Sequence, residues 1–423
     1  MNTARYIAAT ALLRVEKDGA YSNITLASLL NEHKLSIADK ALASILFYGV
    51  LDRKITLDFY INKFSNIKPK KIDEFTRQAI RIGLFQLYYT EKIPASAAVN
   101  ESVELVKNSD EKHNSGFVNA ILRKASENRP ELPNGNDLYS LSVRYSCPVW
   151  IISELLRDYT KEQTEKILKA YLSSSKLFIR VNTLKTDCDT LIMLLKNDNI
   201  TAIKTDIENC LYIVGGIDFK NNDYFNKGYF FVQDTAAQNC ALAINAKKGE
   251  RILDVCAAPG GKSFSMAICA QNCGEVVSCD IYENRVSLIK KGAQRLGIDI
   301  INATVNDACV FNESLGQFDG VLCDVPCSGF GVIKRKPEIK YKAQDNFKEL
   351  EEIQLKILET SSCYVKDGGR LLYSTCTLRK DENEKIVNRF LEQNNNYVCE
   401  YMHTDLPSED NDGFFRALLL KRR

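Results

Sequence analysis

From about residue 235 onward, short apolar runs alternate with longer amphipathic stretches: RILDVCA, EVVSCD, INATV, FDGVLCD and RLLYST each precede a segment of helical period. No other feature of the chain restricts its fold as strongly. Strands separated by helices predict a parallel, doubly wound α/β sheet, and such a sheet takes its ligands at the carboxyl ends of its strands. The residues at those ends are therefore the candidates for chemistry.

The rest of the 423-residue chain is organised differently. From Thr3 to about Asn128 apolar residues recur at helical spacing, as in Ala8, Ala11, Leu12 and Val15 or Leu42, Ile45, Leu46, Val50 and Leu51, which predicts an all-α bundle. Pro130, Pro133, Gly135 and Asn136 then punctuate the chain as a linker. A middle segment mixes patterns: SELLRDYTKEQTEKILKAYL reads as helix, LFIRVNT and CLYIVG as strands. The expected domains are an all-α domain at 1–135, a small α+β segment at 140–235 and the α/β domain at 236–423.

Composition limits the class. With 45% hydrophobic and 26% charged residues, the chain is globular with sizeable cores. Its first apolar stretch meets Arg14, Glu16 and Lys17 before it could span a bilayer, so no membrane association is expected and the protein reads as cytoplasmic. Fourteen cysteines spread through a long chain read as free thiols; with no Cys-x-x-Cys and only His33, His113 and His403 as imidazoles, no metal site is expected. A net charge of +2 excludes nucleic-acid binding by bulk electrostatics and leaves local patches. Lys68, Lys70 and Lys71 form one, which reads equally well as a solvated face; Lys334, Arg335, Lys336, Lys340 and Lys342 form another, expected to contact phosphates. Nothing indicates stable oligomers, and a monomer is expected.

The first of these strands runs into DVCAAPGGKS, residues 254–263, whose last letters are those of a triphosphate-binding loop. That loop requires a glycine where Cys256 stands, and Pro259 removes a backbone N–H that would have to face a phosphate oxygen. What remains is a strand, a tight small-residue turn and a helix, the first crossover of a nucleotide-type cofactor site, in which Gly260 and Gly261 let the backbone approach a ligand. Asp280 ends the next strand, where a carboxylate can accept from both ribose hydroxyls. Asp307 follows the third, where it could accept from an adenine amino group. An adenosine ligand without a phosphate cradle points to S-adenosylmethionine.

DVPCSG and STCT end the fourth and fifth strands. Most buried cysteines are small hydrophobes, but Cys327 and Cys376 fall at the ligand-bearing edge. Carbon 5 of cytosine is a poor nucleophile. A thiolate adding at carbon 6 activates it toward a methyl sulfonium, and loss of the carbon 5 proton with expulsion of the thiol completes the exchange. An ordinary thiol, with a pKa of about 8.5, is mostly protonated at neutral pH, so such a site must lower it or deprotonate it on attack. Asp324 could hold the exocyclic amine or a protonated ring nitrogen of a base that has left its stack. The residues alone leave open which cysteine attacks.

CAAPGGKS, DVPCSG and YSTCTL, in this order, resemble the RNA 5-methylcytosine methyltransferase superfamily. AAVNESVELVK, GFVNAILRK, RVNTLK, VQD and DGFFRALLLKRR resemble its RsmB/Sun/Fmu branch, so the resemblance covers nearly the whole chain. It implies a Rossmann-like α/β methyltransferase domain dependent on S-adenosylmethionine, behind an all-α domain similar to the antitermination factor NusB. It implies Cys376 as the nucleophile and Cys327 as the group assisting product release. Cys256, Ala257, Ala258, Pro259, Gly260, Gly261, Lys262, Asp280, Asp307 and Asp324 become the cofactor-binding residues. The branch implies 16S small-subunit ribosomal RNA, free or in an early assembly intermediate, as substrate and partner. Rival readings are the same chemistry on tRNA, and an RNA-binding or antitermination factor whose catalytic domain is only a scaffold; retention of both cysteines and all three aspartates opposes the latter. An amino-nitrogen methyltransferase would need an Asn/Asp-Pro-Pro-aromatic loop where this chain has Asp324-Val325-Pro326-Cys327.

Overall fold

The computed structural model describes residues 3–19, 22–342 and 346–423, and the chain divides into two compact units, Met1–Leu172 with Ile333–Ala343, and Ser173–Val332 with Gln344–Arg423. The first is helical: α1 (Ala4–Asp18), α2 (Ser22–Glu32), α3 (Ile37–Phe64), α4 (Glu74–Tyr89), α5 (Ala95–Lys107), α6 (Ser115–Glu127), α7 (Leu138–Tyr145), α8 (Val149–Asp158) and α9 (Lys161–Tyr171). Their apolar faces meet in one core that includes Ile7, Leu12, Leu46, Phe47, Leu57, Ile80, Leu84 and Leu122. The starts of α1, α3, α4 and α7 are set by Thr3, Ser36, Asp73 and Asp137, whose side chains accept from backbone amides of the first turn. The stretch expected as one helix over 153–172 is two. Thr160 and Gln163 form a capping box that starts α9 just after α8 has ended.

A 3-10 turn, Pro337–Tyr341, belongs to this helical unit although it follows the fourth strand of the α/β domain in sequence. Lys340 is buried and donates from Nζ to the carbonyls of Asp52 at 2.6 Å and Ser146 at 3.1 Å. Tyr341 donates to the Leu51 carbonyl and Ser22 to the Glu338 carboxylate. This corrects the expectation for the second basic cluster: Lys334 and Lys340 are buried rather than presented to phosphates. Ile333, Pro337 and Ile339, buried in the same run, carry the lysine stems inward with them. Lys68, Lys70 and Lys71 are exposed.

The second unit holds two sheets. Strands β1 (Leu177–Val181), β2 (Thr201–Lys204), β3 (Cys210–Val214) and β4 (Phe230–Val232) form an antiparallel sheet in the order β2-β3-β1-β4, with α10 (Cys188–Asn197) and α11 (Asp223–Asn226) in its connections. The larger sheet contains β5 (Arg251–Asp254), β6 (Glu275–Asp280), β7 (Ile301–Val305), β8 (Phe318–Asp324), β9 (Val365–Thr375), β10 (Tyr397–Asp405) and β11 (Phe414–Lys421) in the order β10-β11-β9-β8-β5-β6-β7. Its helices are α12 (Thr235–Ala243), α13 (Gly261–Cys269), α14 (Glu283–Leu296), α15 (Phe347–Ser362) and α16 (Glu384–Gln393). β9, β8, β5, β6 and β7 pair in parallel, while β10 and β11 close the far edge antiparallel. The expected Rossmann-like sheet is present. Its central strands bury Ile252, Leu253, Val321, Leu322, Leu371 and Leu372 completely. Strand order reverses between β5 and β8, the place where such sheets open a ligand crevice. Among the described residues no helix is long and apolar enough to cross a membrane.

The turn that leaves β5 is held from below. Asp254 is fully buried and accepts from Ser263 Oγ at 2.7 Å, tying the end of the strand to the first turn of α13. Gly260 caps that helix with φ of 109°, and a Cβ there would lie 2.4 Å from the Phe264 ring.

Two predictions follow from burial. Lys340→Met strands two buried carbonyls and should lower the stability of the helical unit by about 2–4 kcal/mol, read as a lower thermal midpoint; Lys70→Met should leave the midpoint unchanged. Burial pushes the Asp254 carboxyl up to about 7, against the opposing bond from Ser263. An unfolded aspartate titrates near pH ~4, so between there and about 7 the folded chain binds the extra proton, and stability falls as pH rises through that window. A pH series of urea midpoints should show this fall and show it flattened in Asp254→Asn; a midpoint that rises across the window would contradict the assignment.

Candidate active site

The strand-end residues singled out in the sequence lie along the carboxyl edge of the parallel strands. Cys256 to Gly260 form the turn between β5 and α13, with the Ala257 N–H donating to the Cys279 carbonyl at 2.7 Å and the Gly260 N–H to the Ala257 carbonyl at 2.8 Å. Asp280, 3% exposed, ends β6; its carboxylate meets the Arg285 guanidinium at 3.3 Å. Arg285 also donates to the Ala258 carbonyl at 3.1 Å, so one side chain ties the β6 end to the β5 turn. Asp307, beyond β7, is exposed and accepts from the Cys309 N–H within its own loop.

Lys262 and Asp324 are brought together. The Lys262 ammonium lies 2.7 Å from one carboxylate oxygen of Asp324, and Ser374 Oγ donates to the other at 3.0 Å. Burial alone would depress the lysine, but its contact with Asp324 outweighs that and holds the ammonium above its ordinary range. Lys262 also sits over the Phe414 ring at 5.0 Å.

The two cysteines are also brought together. Asp324 and Ser374 are direct partners across the parallel β8–β9 pair, and Cys327 and Cys376 follow three and two residues later. Their sulfur atoms lie 3.0 Å apart, and both are free thiols. The contact with Cys376, together with burial, pushes the Cys327 thiol well above the usual thiol range. The loop around them is closely fitted: the Gly331 N–H donates to the Cys376 carbonyl at 2.9 Å, and a Cβ at Gly331 would lie 2.0 Å from the Gly413 carbonyl oxygen.

This arrangement decides what the Gly-Lys-Ser ending can hold. In a triphosphate loop the lysine and the hydroxyl face phosphate and metal. Here Lys262 is engaged by Asp324 and Ser263 is turned onto buried Asp254. Asp280 and Asp324, at the ends of β6 and β8, offer acceptor oxygens that suit hydroxyl, amino and sulfonium groups rather than phosphate. The donor set therefore fits S-adenosylmethionine. Arg285, Glu382 and Gln354 were not found from the sequence. Glu382 lies in LRKDENEK, whose charge density reads as a solvated loop, yet it is fully buried and accepts from the Ser328 N–H beside Cys327 at 2.8 Å.

Known proteins are similar to this chain along nearly its whole length. The family model for 16S rRNA methyltransferase RsmB/F matches residues 241–419, the NusB family model residues 2–127, and the ferredoxin-like domain of RsmF/B-like methyltransferases residues 147–220. The probable ribosomal RNA small subunit methyltransferase B of Bacillus subtilis is 38% identical over 397 residues, covering 92% of this chain and 88% of the relative. The ribosomal RNA small subunit methyltransferase B of Proteus mirabilis is 32% identical, covering 99% of this chain and 98% of the relative. Among solved structures, PH0851 superposes with a TM-score of 0.82 at 26% identity over 99% of both chains. NSun6 from Pyrococcus horikoshii, at 21% identity and a TM-score of 0.61 over 65% of this chain and 98% of its own, shares the fold. With its strand-end motifs, its helical and α/β parts and its full-length relatives in agreement, the chain belongs to the RsmB/Sun family of ribosomal RNA small subunit methyltransferases.

Proposed function

We propose that this chain methylates carbon 5 of a cytosine in 16S small-subunit ribosomal RNA, with S-adenosylmethionine as donor and Cys376 as covalent nucleophile. One observation carries the reading: two thiols at the ends of adjacent parallel strands, 3.0 Å apart, beside a carboxylate held by Lys262. A methyltransferase acting on an oxygen or an amino nitrogen has no use for such a pair. The names of the full-length relatives support the RNA substrate.

Bound at the β5 turn, S-adenosylmethionine supplies an electrophilic methyl group. The residues that would hold it are the turn of Cys256, Ala257, Ala258, Pro259, Gly260, Gly261 and Lys262, with Asp280 as acceptor for the ribose hydroxyls and Asp307 for the adenine amine. Asp324, gripped by Lys262 and Ser374, turns its remaining acceptor capacity toward the cytosine edge. Cys327 keeps its proton, because its thiol is pushed up, and donates toward the Cys376 sulfur. A hydrogen bond donated to a sulfur favours its thiolate form, so the pair poises Cys376 for attack. Cys376 Sγ bonds to carbon 6, carbon 5 takes the methyl group as the methyl–sulfonium bond breaks to leave a neutral thioether, and the carbon 5 proton leaves to a base. The electron pair left behind breaks the sulfur–carbon bond and returns Cys376 to its thiolate, which the protonated Cys327 stabilises as a leaving group through the same hydrogen bond.

The two single variants should behave oppositely. Cys327→Ala, incubated with ribosomal RNA and the methyl donor, should accumulate a denaturation-resistant protein–RNA adduct on a gel. Cys376→Ala should form none and lose activity. An adduct retained by Cys376→Ala would reverse the roles. At the cofactor end, Asp280→Ala should weaken S-adenosylmethionine binding at least about tenfold by calorimetry, the loss of a charged acceptor; unchanged affinity would remove Asp280 from the site.

A further inference from the structure

Each cysteine loop is gripped by one of two adjacent buried residues, Glu382 and Asn383. Glu382 Oε2 accepts from the Ser328 N–H at 2.8 Å and from Gln354 Nε2 at 2.9 Å, and Gln354 also donates to the Pro326 carbonyl at 2.9 Å. The residues on both sides of Cys327 are thus fixed through one carboxylate. Asn383 accepts from Thr375 Oγ1 at 2.6 Å and donates to the Thr377 carbonyl at 3.1 Å, which fixes the residues on both sides of Cys376. Both side chains are fully buried. Arg379 neutralises Glu382 at 3.0 Å, and Tyr373 Oη fixes the Glu382 carbonyl at 2.6 Å. A contact of 2.7 Å between the Ser328 and Thr377 hydroxyls joins the loops to each other.

We propose that Glu382 and Asn383 are positioning residues with divided labour, Glu382 holding the Cys327 loop and Asn383 the Cys376 loop, so that this dipeptide sets how the two thiols meet. The inference rests on the cysteine roles proposed above. A buried carboxylate needs strong compensation, which here comes from Arg379 and the two polar donors. A merely structural ion pair would be satisfied by Arg379 alone and would not need to reach the amide beside Cys327. Loss of the Glu382 grip disorders the thiol that assists release, while attack by Cys376 proceeds. Loss of the Asn383 grip misplaces the attacking thiol, so the sulfur–carbon 6 bond forms slowly.

The test uses the full chain, in-vitro-transcribed small-subunit ribosomal RNA and labelled methyl donor, with adduct scored after denaturation and methyl transfer scored in the first turnover. Glu382→Gln should raise the adduct about tenfold with first-turnover transfer retained. Asn383→Asp should lower both about tenfold, each change matching the loss of one charge-assisted or buried hydrogen bond. If either variant fails to fold by thermal melting, Gln354→Met replaces the first and Thr375→Val the second. Adduct levels that move in the same direction in both variants, or do not move, overturn the division of labour. Cys327→Ala and Cys376→Ala run alongside. If those controls depart from their opposite behaviour, the cysteine assignment fails, and the dipeptide claim is still decided by whether its own two variants diverge.

Discussion

Parallel pairing of β8 with β9 sets Asp324 opposite Ser374 and sends two loops off the sheet edge side by side. Side-chain direction alternates along a strand, so a slip of one residue in that register would turn Asp324 or Ser374 away from the edge and separate the loops. In the observed register Ser374 reaches Asp324, Asp324 reaches Lys262 on the first turn of α13, and the loops carry Cys327 and Cys376 into contact. Three neighbouring strands, β5, β8 and β9, thereby bring the 256–262 turn, the Asp324 carboxylate and the thiol pair to one place. The fully buried leucines and valines of those strands hold the register against slippage.

Electrostatics separates this site from the phosphate loops it resembles in letters. Two of the three residues that would serve a triphosphate are turned to other partners, Lys262 to Asp324 and Ser263 to Asp254. The carboxylates of Asp280 and Asp324 favour a ligand that brings hydroxyls, an amine and a positive sulfur. The lysine's role has inverted: its charge is met by the Asp324 carboxylate of its own chain rather than by a ligand.

The strands and the placing of the candidate residues at their ends were legible because each is a local pattern: an apolar run, then an aspartate or cysteine. The failed glycine at Cys256 was equally local and pointed away from phosphate. What escaped is what depends on distant partners. Lys340 reads as one charge among five, and only the carbonyls of Asp52 and Ser146, almost two hundred residues or more away, turn it into a buried donor. Glu382 and Asn383 sit in a run of charged and polar letters that has no apolar periodicity, so nothing local signals that both are fully buried. The break between α8 and α9 was signalled by Thr160 and Gln163 at capping-box spacing, but the helical period running through it is the stronger pattern.

The thiol pair and its aspartate are the core of this account, and carbon 5 is the atom they imply. Methylating small-subunit ribosomal RNA in vitro with the purified chain and isotopically labelled S-adenosylmethionine, then digesting it to nucleosides for mass spectrometry, reads that atom directly. Label confined to 5-methylcytidine is the predicted result. Label in N4-methylcytidine, a ribose-methylated nucleoside or a purine would contradict it.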